Sequence, residues 1–301
     1  MAGDLKQHLT PELFKFMVDR SIPFKKTESL DFGNAISIVL FGGSQEPQDS
    51  ESQGIRERAW PVLKALSQYG LDQVPDMMEF LPPPEDPDFP SQALGLQLVL
   101  DQAPRDLLEG IHNRWTFDYF GDIALRFARQ LQALPPHLNP AAWARWRDSV
   151  SLDYFIFVRL WFGAPLVHHE ATPDEAVAFT EETRRLVEQT LGTRDPHRDQ
   201  PEKRWDLHGF PRMLTEKGPS SPCGAAEGAF WIACLLDVHR PPLDRFGRYP
   251  YRNGFLGRVD TPEEEAWMEK APMFAVDPDV RRRIRDDVEA GRWTPLDEGT
   301  E

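Results

Sequence analysis

Most of the residue types and runs that advertise a chemistry are scarce or missing in this chain. There are only two cysteines, Cys223 and Cys234. They lie eleven apart on a stretch that reads as one helix, too far apart to bridge, so they are expected as reduced core residues. No cysteine pair and no distant His-x-x-x-His spacing occurs, so neither a metal site nor a cofactor is expected. Neither phosphate-cradling glycine loop is present, and nucleotide binding is not expected. A Gly-x-Ser-x-Gly elbow is missing too. Basic residues are outnumbered, 34 Lys and Arg against 49 Asp and Glu, for a net charge of −15. That balance excludes a nucleic-acid partner and an anionic membrane surface. Met1-Ala2-Gly3-Asp4 leads into no apolar signal segment. The longest apolar run, Tyr154 to Phe162, is broken by Arg159 and too short for membrane insertion. A cytoplasmic protein is expected. Its oligomeric state is not legible.

Strand signals are nearly absent, whereas helix starts are abundant. Thr10-Pro11, Asn139-Pro140, Thr172-Pro173, Thr261-Pro262 and Asp277-Pro278 each place a capping oxygen before a proline at the first helical position. Glu175 and Glu264 follow their threonines by three, as capping boxes require. The pattern predicts helices near 10–20, 56–69, 91–102, 116–134, 140–163, 173–191, 224–239, 262–270 and 278–290. Ala35 to Phe41 can be read as helix or strand. The helix at 140–163 is apolar around most of its circumference, from Trp143 through Phe162, so it is expected to be central and buried. Gly42 to Gly54 reads as a mobile loop and Leu81 to Pro90 as extended chain. Gly192 to Pro222 reads as a long insert that packs as a lid through Trp205, Leu207, Phe210 and Met213. No internal repeat is visible, which argues against a regular solenoid. The expected fold is all-α: an irregular multi-helix array in one domain over 1–301. Its motif core lies at 91–270, after a variable part at 1–90.

Three clusters carry polar chemistry. In the first, an apolar helix ends in Asp101 and Gln102, followed by Ala103, Pro104 and Arg105. A salt-bridged helix end explains it as well as a ligand does. In the second, His168, His169 and Glu170 follow the central helix. Adjacent histidines point apart on a helix, so a catalytic, ligand-orienting or structural histidine suits them better than a metal. The third, Arg245 to Arg258, packs Arg248, Tyr249, Tyr251, Arg252 and Asn253 into one loop held by the helix start at Thr261. Donor-rich side chains at that density suit a buried polar site. The tryptophans are mostly core by default, with Trp115, Trp161 and Trp205 as candidates for lining a pocket.

In order, these clusters resemble the DUF924 family, an all-helical family of the TPR-like superfamily. The resemblance rests on Asp101, Gln102, Pro104 and Arg105; on Pro165, His168 and Glu170; and on Arg245-Phe246-Gly247-Arg248, Pro250, Arg252-Asn253 and Leu256-Gly257-Arg258. The chain departs from the family pattern at Ala103, Asp106, His169 and Tyr251. The departures imply the same scaffold serving another ligand, with Ala103 opening space. They also resemble a fungal biosynthetic branch similar to norbornene-forming Diels–Alderases of sordarin-type diterpenes.

The leading expectation is therefore a cofactor-independent cyclase or isomerase of terpenoid secondary metabolism. It would confine an apolar small-molecule substrate and donate hydrogen bonds to it. His168, Glu170, Arg248 and Tyr251 are the expected catalytic groups. Asp101, Gln102, Ala103, Arg105, Trp161, His169 and Asn253 are expected to bind substrate. The alternatives are a hydrolase or acid–base enzyme using His168 and Glu170, and a non-enzymatic TPR-like peptide-binding module.

Overall fold

The central helix runs from Leu152 to Val167, and every residue from Tyr154 to Val167 is buried. The computed structural model describes residues 2–42 and 48–296, and among these all regular structure is helical. None of their helices is long and apolar enough to cross a membrane. Ser151 starts the central helix by accepting the Tyr154 N–H at 3.2 Å. The start expected at Asn139 is not used. Asn139 Oδ1 instead accepts the Ala141 N–H at 2.8 Å and closes a local turn, an alternative to helix that short polar side chains offer. Residues 140–151 are turns around a 3₁₀ segment, Trp143–Arg145. Trp143 and Trp146 pack on Phe155, with ring centroids 4.9 and 6.4 Å away. The apolar content was therefore assigned to the right core but to a helix that begins a dozen residues later.

The one buried charge of the central helix, Arg159, is held by several partners. Arg159 donates to Ala141 O and Phe179 O, both at 3.0 Å, and to the Thr183 hydroxyl, with its guanidinium 3.9 Å from the Phe179 ring centre. Burial lowers its pKa to about 10. A buried guanidinium persists only when its donors are satisfied in this way.

Helix Phe89–Asp101 lies between the central helix and helix Pro11–Ser21. Gly95 makes the approach possible, since a Cβ there would stand 2.5 Å from the Phe14 Cα. The ambiguous run at 35–41 is helical, within Phe32–Phe41, capped by Asp31 and ended by Gly42 at φ +69°. Of the expected loop at 42–54, residues 43–47 lie outside the described residues, and from Gln48 the chain is helix as far as Leu66. A short helix, Ala2–His8, precedes the first one expected. Of the predicted capping boxes only Thr261–Glu264 forms in full. The Thr172 hydroxyl donates backwards, to Leu166 O at 2.6 Å and His169 O at 3.0 Å, and Glu175 pairs with Arg129.

The insert at 192–222 is ordered and partly helical, with Pro196–Asp199, Pro201–Arg204 and Gly209–Glu216. Buried charge ties it down. Arg184, with no exposed surface, meets Asp195 at 2.5 Å and Asp237 at 2.7 Å. Arg204 adds a bond to Asp237, and Arg198 bridges Glu181 and Glu188. Removing one member leaves uncompensated buried charge. Arg184→Ala is expected to cost about 3–5 kcal/mol by urea denaturation. Lys25→Ala, which breaks an exposed pair with Glu28, should leave the urea midpoint nearly unchanged. A loss below about 1 kcal/mol for Arg184→Ala would refute the anchoring role.

Candidate functional site

Two helix C-termini meet at the site. Helix Phe89–Asp101 delivers Asp101 as its last residue, and the central helix delivers His168 as its C-cap. The Asp101 carboxylate oxygens lie 2.9 and 3.0 Å from His168 Nδ1. Gln102 also donates to Asp101, and Arg105, one turn on, approaches it at 3.6 Å.

The arginine-rich loop closes over this pair by satisfying the backbone behind it. Tyr249 donates its hydroxyl to Val167 O at 2.7 Å, and Arg252 donates to His168 O. Glu170 accepts the Tyr249 N–H at 2.9 Å and both arms of Arg258 at 2.9 and 2.8 Å. Arg252 is 3% exposed and stacks among Phe117, Tyr249 and Tyr251, at 5.0, 4.6 and 5.5 Å from their ring centres. Arg105 lies 5.5 Å from the same Phe117 ring. The Nε–H groups of Arg105 and Arg252 are buried and find no hydrogen-bond partner among the described residues.

Electrostatics here sort the protonation states. Burial, then the charges of Arg105 and Arg252, push His168 down to about 4 against the pull of Asp101. For Asp101, burial acts upward, but His168 and Arg105 outweigh it and hold the carboxyl well below its ordinary range. Burial raises the Tyr251 hydroxyl, with Arg252 and Arg105 opposing. His239, next to Phe210 and Tyr249, is pushed down to about 3 by burial and by His168. At neutral pH the site holds an ionised Asp101, neutral His168 and His239, and two guanidiniums.

The expected site residues separate into three groups. Asp101, Gln102, Arg105, His168 and Tyr251 come together. Glu170 stands behind them as the anchor of the loop. Arg248 and Asn253 brace that loop from its far side. Arg248 holds Glu264 at 2.6 and 2.7 Å, and Asn253 donates to Asp260 at 2.7 Å. His169 turns away to Asp122 at 2.9 Å, and fully buried Ala103 packs in the hydrophobic core. Neither of these two reaches the His168 cluster. Phe117 and His239, at the site, carried no sequence signal. Arg252, Tyr249 and Arg258 stood in the quoted loop, and their importance follows from its density of donors.

A cleft of about 1350 Å³ opens beside the cluster, and Gln102, Arg105 and Trp161 line it. Helices Pro11–Ser21 and Phe32–Phe41 form its opposite wall. Trp205 lies in a separate hollow of about 650 Å³ with Leu207 and Arg240. Trp115 is buried and donates to Thr294 O at 2.8 Å.

Residues 49–272 match the family described as bacterial protein of unknown function, DUF924. The chain belongs to this family. No curated protein and no solved structure matches it. The match begins at residue 49, before the first of the three motifs, and ends at 272, beyond the last. The cleft wall contributed by helices Pro11–Ser21 and Phe32–Phe41 lies outside it.

His168 is expected to titrate near 4 in pH-dependent heteronuclear NMR, and Arg105→Gln should move the midpoint upward by removing the larger cationic contribution. An unfolded histidine takes its proton near 6.5, before these folded rings do. The stability they leave intact above about 6.5 is therefore lost as pH falls towards 4 for His168 and 3 for His239. A wild-type midpoint at 6.5, unmoved by Arg105→Gln, would overturn this arrangement.

Proposed function

We propose that the chain is an acid–base enzyme acting on a small molecule. The Asp101–His168 pair is its base, and Arg105, Arg252 and the Tyr251 hydroxyl are the donors that receive developing negative charge. The observation that carries the reading is the contact of Asp101 with His168 Nδ1 in a site where the ring is held neutral. An ionised carboxylate can only accept, so Nδ1 carries the ring hydrogen and Nε2 the lone pair. The His168 side chain is 21% exposed, so a substrate can reach it. A base of this kind takes a proton from a carbon acid or from water, and the oxyanion that forms is stabilised by preorganised donors. Glu170, expected from the sequence as the partner of His168, is committed to Arg258 and Tyr249. The acid–base role therefore falls to Asp101.

A second reading keeps the cyclase. Trp161 and the aliphatic cleft wall support it, because a rigid apolar surface can select one conformer while Arg105 polarises a carbonyl. The Diels–Alder-type terpenoid chemistry of the fungal branch fits this reading.

The two differ in proton dependence. On any compound turned over, the acid–base reading expects His168→Ala and Asp101→Asn each to lower kcat by about 10²–10⁴-fold. It also expects kcat/KM to fall as pH drops through about 4, where the base takes up its proton. Glu170→Gln should act mainly on melting temperature. Turnover within a few fold of wild type in both His168→Ala and Asp101→Asn, with no acid limb, would sink the acid–base reading in favour of the cyclase.

A further inference from the structure

The large cleft has two chemically different sides. Phe16 on one helix, Ile38, Val39 and Leu40 on the next, and Trp161 give it a continuous apolar surface. Facing these is the segment with Gln102, Arg105 and Asp106. Four carboxylates and four cations line the cleft, and much of this charge is consumed internally. Lys15 pairs with Asp19, Arg20 pairs with Asp106 at 2.8 Å, and Arg58 lies 4.4 Å over the Phe16 ring.

Arg105 is different. Its ion pair with Asp101 is long, at 3.6 Å, and His168 and Gln102 share that carboxylate. Its Nε–H is buried without a partner, as are those of Arg20 in the same cleft and of Arg252, which is 3% exposed and lies over the same Phe117 ring. Burial is the largest cost to the charged form of Arg105, and repulsion from Arg252 adds to it. Buried donors left unpaired beside a second positive charge are the environment an oxyanion relieves. A dianion fits less well, because as many carboxylates as cations face the cleft and the chain as a whole is strongly acidic.

We infer that the cleft binds an amphiphilic monocarboxylate, with its carboxylate on Arg105 and an aliphatic or alicyclic body against Phe16, Val39, Leu40 and Trp161. The inference rests on the acid–base reading for the substrate's place beside His168, but binding can be measured without turnover. Much of the apolar wall, Phe16 and Ile38 to Leu40, comes from residues before 49, outside the family match, so the body of the ligand rests largely on this part of the chain.

Isothermal titration of the full chain with submicellar octanoate, octanol and octyl phosphate tests it. Octanoate should bind at least about tenfold more tightly than octanol, the worth of a charge-assisted hydrogen bond. Octyl phosphate should bind no more tightly than octanoate. Arg105→Gln should weaken octanoate at least about tenfold and leave octanol nearly unchanged. Leu40→Glu should weaken both, and Arg245→Gln, at a remote exposed pair, neither. His168→Ala should keep octanoate binding within a few fold. No octanoate binding, equal binding of octanoate and octanol, or a clear preference for octyl phosphate overturns the inference in the wild-type protein, whatever the variants' folding. Unchanged octanoate affinity in Arg105→Gln overturns it as well. Retained binding in His168→Ala with retained turnover removes only the acid–base reading. Lost turnover with indifferent octanoate binding removes only the carboxylate.

Discussion

The carbonyl end of the central helix is buried, and buried carbonyls without donors are costly. Four successive carbonyls, from Leu166 to His169, are satisfied by side chains from elsewhere. The single Thr172 hydroxyl hydrogen is shared between the first, at 2.6 Å, and the last, at 3.0 Å, while Tyr249 serves the second and Arg252 the third. This requirement explains why a loop so rich in arginine and tyrosine lies where it does. It also explains why Thr172 fails to cap the helix that follows it, since its hydroxyl is already committed. With Glu170 gripping the Tyr249 N–H and Arg258, the loop cannot shift without exposing the helix end. The backbone at His168 is fixed as a by-product, and the ring is then oriented by Asp101 from the neighbouring helix end.

Holding two guanidiniums in one buried region is expensive in a way that stability alone does not explain. A structural cluster brings carboxylates into close contact with each cation, as the insert does with Arg184 between Asp195 and Asp237 at 2.5 and 2.7 Å. At the site, Arg252 has backbone and ring faces as its partners, and Arg105 has a shared, distant carboxylate. Cation–π contacts recover part of the cost. The neutral state of His168 follows first from its burial and then from the same crowding, because a third positive charge there would face both arginines. Perturbed groups arranged this way beside a cleft mark functional sites more often than structural ones.

The sequence made the architecture readable wherever a side chain has only one plausible use. Thr261, Pro262 and Glu264 fit a helix start and little else, and they form one. Asparagine before proline fits both a helix cap and a local turn, and at Asn139 the turn prevails because Ser151 offers a later start directly beneath the buried run. The site residues Asp101, Arg105, His168 and Tyr251 were legible because they stand in dense polar motifs. The partner of His168 was not. Glu170, two residues away, is close in sequence, whereas Asp101, which contacts the ring, is brought in by the packing of two helix ends 67 residues apart. Pairings set by tertiary packing leave no local spacing to read.

The departures from the family pattern can now be weighed by location. Ala103 packs in the core and His169 faces Asp122, so neither change alters what a ligand beside His168 meets. Tyr251 does, since its hydroxyl feels both Arg105 and Arg252. Helices Pro11–Ser21 and Phe32–Phe41, which also line the cleft, lie before the matched region. The polar cluster depends on the helix end it caps and has little freedom to vary. The facing wall adds apolar side chains together with Glu12, Lys15, Asp19 and Arg20, of which Arg20 reaches across to Asp106.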